Sequence, residues 1–318
     1  MNPRRLFATT AIAAVLFSAC SSGGSDADGD GEGFSAQVAS YDLSIGRDQR
    51  VIAGILVDGG ARLVGFGSMD FAFAYRGPTD KPLERPRAGP RAPASFRPIP
   101  GQRLSGLTGA ARVIEGSEGI GVYAADSVRF DAAGTWQLTI TGQVGDQALS
   151  VKVDFEVLER PAVPLPGEAA PRTENLLPGA EGAPPKAVDS RAQPDGRVPD
   201  PTLHERTVAA AIASGRPTMV VISTPVYCQS RFCGPITDSV QALADRYGDR
   251  MHFVHLEVWR DFEAQTVNKA AAEWIYRDRN DIHEPWVFVI GRDGTIAQRF
   301  DNVVSEDELE RSVQAALA

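Results

Sequence analysis

The chain has 318 residues, 43% of them apolar, and a formal charge of −9 at pH 7. That length allows two ordinary domains once a leader and linkers are set aside. The acidic balance argues against a nucleic-acid binder or a protein that lies on an anionic membrane surface.

At the start, Arg4 and Arg5 form a basic region, and Leu6 to Ala19 is an apolar run too short and one-sided to span a membrane. It ends Leu16-Phe17-Ser18-Ala19-Cys20, which resembles a bacterial lipoprotein signal peptide, with Phe17 in place of the usual leucine. The resemblance implies a signal peptide over residues 1–19 and a lipid on Cys20. The plainer alternative is an ordinary signal peptide with an incidental cysteine. Residues 20–34 are rich in Ser, Gly and Asp and suit a flexible tether. The expected location is the cell envelope, outside the cytoplasm and held to the membrane by the lipid anchor. Of the 3 cysteines, Cys228 and Cys233 then remain, a lone close pair that an oxidising compartment favours as a disulfide.

Residues 35–160 read as β. Trp136, Leu138 and Ile140 alternate with Gln137, Thr139 and Thr141. After a Gly145-Asp146 turn, Leu149, Val151, Val153, Phe155 and Val157 all face one way. Earlier runs (Tyr41 to Ile45, Val51 to Val57, Ala61 to Tyr75) supply enough strands for a sandwich. The run Phe130-Asp131-Ala132-Ala133-Gly134-Thr135-Trp136 is similar to a strand entry of extracytoplasmic immunoglobulin-like domains. The Pro/Arg stretch from Arg76 to Pro100 reads as a long loop. This half has neither Cys nor His between residues 35 and 160, so binding or spacing is expected of it rather than catalysis.

Residues 161–200, rich in Pro, Ala, Gly and charge, read as a semi-extended linker. From 201 to 318 helix and strand patterns alternate. Leu203, Val208, Ala211 and Ile212 share a helical face that Gly215 can end. Met219 to Ile222 is a short, wholly apolar strand. Ile236, Val240, Leu243, Ala244 and Tyr247 mark an amphipathic helix. Phe253 to Val258, Val287 to Ile290 and Thr295 to Phe300 are strands, and Ser305 with Glu308 is a capping box that opens a last helix facing inward through Leu309, Val313 and Leu317.

Tyr227-Cys228, read on from the strand at Met219, resembles the strand and Cys motif of thioredoxins. Pro285 before Trp286-Val287-Phe288-Val289-Ile290 is similar to the cis-proline strand of TlpA/ResA-like members. The expected fold class is therefore multidomain: an N-terminal all-β immunoglobulin-like sandwich and a C-terminal α/β thioredoxin fold. The resemblance implies a thiol–disulfide oxidoreductase acting on protein thiols or disulfides of the envelope, with no cofactor. In it Cys228 attacks and Cys233 resolves, a cis Glu284–Pro285 bond faces the pair, and Tyr227 and Trp286 wall the groove. A cysteine at a helix start has its thiolate stabilised by exposed backbone N–H groups, and Arg231 sits in the same loop. Two departures stand out: the motif is CxxxxC rather than CxxC, and Ile222 occupies the strand position where thioredoxins bury an acid.

Two other readings remain open. The disulfide can simply pin the helix start, although so short a ring contributes only about 2 kcal/mol on a chain-entropy model. A binding lipoprotein with a non-catalytic disulfide belongs to this reading. Alternatively, the spacing from His283 to Gly294 matches that of the copper-ligand histidine in Sco-type proteins. That likeness implies a Cu(I) site of Cys228, Cys233 and His283. His252 and His255, an odd number apart on one strand, face opposite ways and form no ligand pair with each other.

Overall fold

The computed structural model describes residues 33–101, 109–114, 120–228, 230–276 and 282–318. The expected signal peptide, Cys20 and nearly all of the expected tether lie outside the described residues, as does Gln229.

Nine strands fill the first half: β1 (Phe34–Val38), β2 (Asp48–Val57), β3 (Arg62–Gly65), β4 (Ser68–Gly77), β5 (Arg87–Pro98), β6 (Arg112–Ile114), β7 (Gly121–Arg129), β8 (Gly134–Val144) and β9 (Gln147–Val157). They form one antiparallel sheet in the order β6-β3-β2-β7-β5-β4-β8-β9, with β1 also paired to β2. The sheet curls into a half-barrel. Its inner face carries Trp136, Leu138, Ile140, Phe71, Phe130, Val51 and Tyr123, all at or below 1% exposure. The hairpin of β8 and β9 turns at Gly145-Asp146, with Gly145 at φ 59°. The immunoglobulin-like sandwich is therefore corrected to a single curled sheet. One closely curved face encloses its own apolar residues, so no second sheet is needed to cover them. The Pro/Arg stretch is corrected too, since β5 lies inside the sheet between β4 and β7. Gly89 explains part of how it fits: a Cβ there would stand 2.5 Å from the ring of Trp136.

The second half holds α1 (Pro185–Val188), a 3-10 turn at Pro201–His204, α2 (Val208–Ala213), β10 (Thr218–Ser223), α3 (Cys233–Tyr247), β11 (His252–Glu257), the small hairpin β12 (Trp259–Asp261) and β13 (Thr266–Val267), α4 (Lys269–Ile275), β14 (Trp286–Ile290), β15 (Ile296–Asp301) and α5 (Glu306–Leu317). A four-stranded sheet runs β11-β10-β14-β15, with β10 parallel to β11 and the other pairs antiparallel. The Ser305–Glu308 capping box is formed in both directions.

The expected C-terminal thioredoxin fold is not shown. The described structure is mostly β, 41% strand against 19% helix with only five α-helices, and one side of the second half's sheet is covered by the curled sheet. On one side of its sheet, Met219, Val221, Val287 and Val289 share a core with Ile52, Ile99, Val122 and Ala124 of the curled sheet. On the other, Val220, Ile222, Trp286 and Phe288 share one with Ala162, Val163 and Ala170. Those last residues belong to the stretch whose Pro/Gly composition reads as linker, yet its scattered apolar side chains are buried. Polar contacts reinforce the join. Asp42 accepts from the backbone N–H of Ala162 and pairs with Arg299 at 2.8 Å, while Arg50 pairs with the buried Glu308 at 3.0 Å.

Among the described residues no helix is long and apolar enough to cross a membrane.

Candidate functional site

Cys228 and Cys233 are joined in a disulfide, with their Cα atoms 6.0 Å apart. Cys233 opens α3 and is fully buried, because Ile236, Val240 and Leu243 of the same helix turn it toward the core. Cys228 lies in the preceding loop and is half-buried. The Cys233 backbone N–H donates to Cys228 Sγ over 3.4 Å, and the Ser230 hydroxyl stands 3.3 Å from the same sulfur. The Cys233 N–H favours negative charge on Cys228. Arg231 is exposed, in the left-handed region at φ 65°.

The loop before β14 faces the pair. The Glu284–Pro285 bond is cis. The Glu284 backbone oxygen accepts from Tyr41 Oη at 3.0 Å and from Ser230 Oγ at 3.4 Å. Its carboxylate lies within 4.8 Å of both sulfurs, and the side chain is only 9% exposed. An acid therefore does approach the cysteines, from the loop before β14 rather than from the strand position held by Ile222. Ile222 is buried and pairs with Trp286 across the sheet.

Other sequence-singled residues fall differently. Trp286 is 2% exposed and donates its ring N–H to the backbone oxygen of His283, so it supports the loop from behind and offers no open wall. Tyr227 is half-buried and stacks on Phe262 at 4.2 Å. His283 stacks on Tyr41 at 4.9 Å, and the metal-capable group at this site is Cys228, Cys233 and Glu284, without His283.

Tyr41 is the contributor that sequence reading missed, because it enters from 243 residues away. Burial first, then the nearby Glu284 and Asp301 charges, hold its phenol well above the usual range. It therefore remains a donor to the Glu284 backbone. His252 and His255 do point to opposite sides of their strand. His252 meets Ser214 Oγ at 2.9 Å, with burial pushing its imidazole down to about 4, whereas His255 meets Ser223 Oγ at 3.0 Å.

Set beside protein-family models, curated proteins and solved structures, the chain matches none of them. The site brings together a disulfide with one half-buried and one fully buried cysteine, a helix start beneath it and a carboxylate alongside.

Proposed function

We propose that the chain is a thiol–disulfide exchange protein of the cell envelope, acting through Cys228 and Cys233 and anchored by a lipid on Cys20. The observation that carries this reading is the unequal burial of the two sulfurs beside the Glu284 carboxylate. In the reduced state the Cys228 thiolate attacks one sulfur of a partner disulfide. That sulfur–sulfur bond breaks and one partner thiolate leaves. Cys233 then gives its proton to the Glu284 carboxylate and attacks Cys228 Sγ, releasing the second partner thiolate. Two electrons pass from the cysteine pair to the partner. Run backwards, the same steps oxidise a partner dithiol. The carboxylate, rather than His283, completes the group around the sulfurs, which favours exchange over a copper set.

Glu284→Gln tests the role of the acid. The amide keeps the size but cannot take the proton from Cys233. Exchange with a small disulfide should slow by about 100-fold, the lower end of what a positioned acid or base contributes. A rate within about twofold of wild type would remove Glu284 from the proposal, since loss of a proton acceptor must exceed ordinary surface effects.

The anchor has its own test. Radiolabelled palmitate should enter the wild-type chain in cells. Cys20→Ala should take up none and leave the membrane fraction. A Cys20→Ala chain that still labels and sediments would overturn the anchor.

A further inference from the structure

A second group of side chains lies behind the cysteine helix, in three segments far apart in sequence. Asp189 follows α1, His204 ends the 3-10 turn and His255 lies in the middle of β11. All are buried: Asp189 is 0% exposed, His204 3% and His255 2%. One ligand atom from each lies within 4.8 Å of the other two.

The hydrogen bonding around them is incomplete in a telling way. His255 Nε2 faces Ser223 Oγ at 3.0 Å and the Ser223 backbone oxygen at 3.2 Å. A carbonyl can only accept, so Nε2 carries the proton. In a neutral ring that leaves Nδ1 as a bare lone pair. Nδ1 stands 3.4 Å from Asp189 Oδ2, an atom that also only accepts. His204 Nε2 stands 3.4 Å from the same oxygen. Among the described residues His255 Nδ1 and both ring nitrogens of His204 have no hydrogen-bond partner. His255 Nδ1 and Asp189 Oδ2 thus meet as two acceptors, with His204 Nε2 beside the same oxygen and Arg191 Nη2 donating to it at 2.8 Å. The spacing suits a metal ion: three donor atoms each about 2.0–2.1 Å from a tetrahedral centre stand about 3.3 Å apart.

We propose that Asp189, His204 and His255 form a binding site for one zinc-like divalent transition ion. A nitrogen–nitrogen–oxygen set is the composition such ions take, with a fourth position left for water. The surrounding contacts agree. Ser223 accepting from His255 Nε2 is the outer contact that ligating histidines usually make, fixing the tautomer and leaving the other nitrogen for the metal. Arg191 pairs with Asp189 at 2.8 Å but is shared with Asp200 at 2.7 Å and Asp238 at 3.1 Å. Glu257, one strand residue beyond His255's neighbour, is buried at 1% exposure and accepts from the Ser190 N–H, adding an acidic group on that side. The ion would clamp the buried stretch after α1 and the 3-10 turn onto β11. It also backs the exchange site, because Ser223 Oγ bonds Thr237 Oγ1 at 2.7 Å, and Thr237 donates to the Cys233 backbone oxygen at 2.7 Å.

The test uses the full chain with its disulfide oxidised, so that no thiolate competes. After dialysis against a chelator, zinc is titrated calorimetrically, and cobalt is added to read the ligand set by its visible spectrum. The expected result is one equivalent bound, a raised Tm, and a cobalt spectrum without thiolate charge transfer. His204→Gln should weaken zinc by more than about tenfold, the smallest effect of even outer-contact changes at metal sites, with unchanged far-ultraviolet circular dichroism. If that variant does not fold, the wild-type titration still decides. Failure of the oxidised wild type to bind zinc overturns the proposal, as does undiminished binding in a folded His204→Gln. Nitrogen shifts showing both His255 ring nitrogens protonated in the presence of zinc overturn it as well, since a proton then bridges His255 to Asp189.

Discussion

Cys228→Ala is expected to abolish disulfide exchange outright, while Cys233→Ala accumulates partners as mixed disulfides. The difference follows from where the two sulfurs sit. Cys228 is half-buried in the loop ahead of α3, with the Cys233 N–H and the Ser230 hydroxyl against its sulfur. The Cys233 N–H stabilises the thiolate, and partial exposure lets a partner disulfide approach it in line. Cys233 is fully buried. It meets a partner only through Cys228, so without it the first covalent adduct has no internal route to resolution. Reducible high-mass adducts on non-reducing gels of envelope extracts read the outcome. Adducts in Cys233→Ala and none in Cys228→Ala are the expected pair. The opposite pattern would reverse the roles, and adducts in neither variant would contradict exchange chemistry in that cell.

The second large effect is on stability. Trp136→Ala should cost about 3–5 kcal/mol, the range for deleting a large buried aromatic ring. Trp136 is 0% exposed, packs on Phe130 at 4.9 Å and Tyr75 at 5.2 Å, and its ring lies against Gly89 of β5. Its ring N–H also donates to the Ala132 backbone oxygen at 2.9 Å, a bond the alanine variant cannot replace. Truncation leaves a cavity where three strands meet, and the curved sheet has limited freedom to collapse into it. Urea denaturation with the disulfide kept oxidised should show a lower midpoint at similar slope. An unchanged midpoint would mean that the inner face of the half-barrel does not carry the stability of the first half.

Local periodicity made much of the secondary structure legible. The alternation around Trp136 and Leu149 is visible because each strand buries one face, and the helix from Cys233 repeats its apolar residues at helical spacing. The capping box at Ser305 is readable for the same local reason. What failed was long-range. β5 carries Pro90 and Pro93 among arginines, a composition that suits loops, and only its neighbours β4 and β7 reveal it as a strand inside the sheet. Whether nine strands stack as two sheets or curl as one depends on pairings that no local pattern encodes. The stretch from 161 to 200 reads as linker because its apolar residues follow no period, yet Val163, Leu165 and Val188 are buried.

The candidate site divides along the same line. The cysteine pair was legible by its spacing in a chain with so few thiols, and the loop before β14 by its Glu-Pro pair. The direction of the Glu284 side chain was not, nor was the arrival of Tyr41 from the N-terminal half. Asp189, His204 and His255 show no motif at all, because they converge from the buried stretch, a single 3-10 turn and a strand. His283 shows how little spacing says about surroundings. Spacing alone nominated it as a ligand, but its ring stacks on Tyr41 and the carboxylate of its neighbour completes the group around the sulfurs.

The most direct test of the central claim is the reduction potential of the Cys228–Cys233 couple, measured by equilibration with a small dithiol buffer. A couple that exchanges with partners, its attacking thiolate stabilised by the helix start, should lie above about −300 mV. A value below about −300 mV would place the bond among disulfides that resist reduction and serve structure alone, contradicting the proposed exchange.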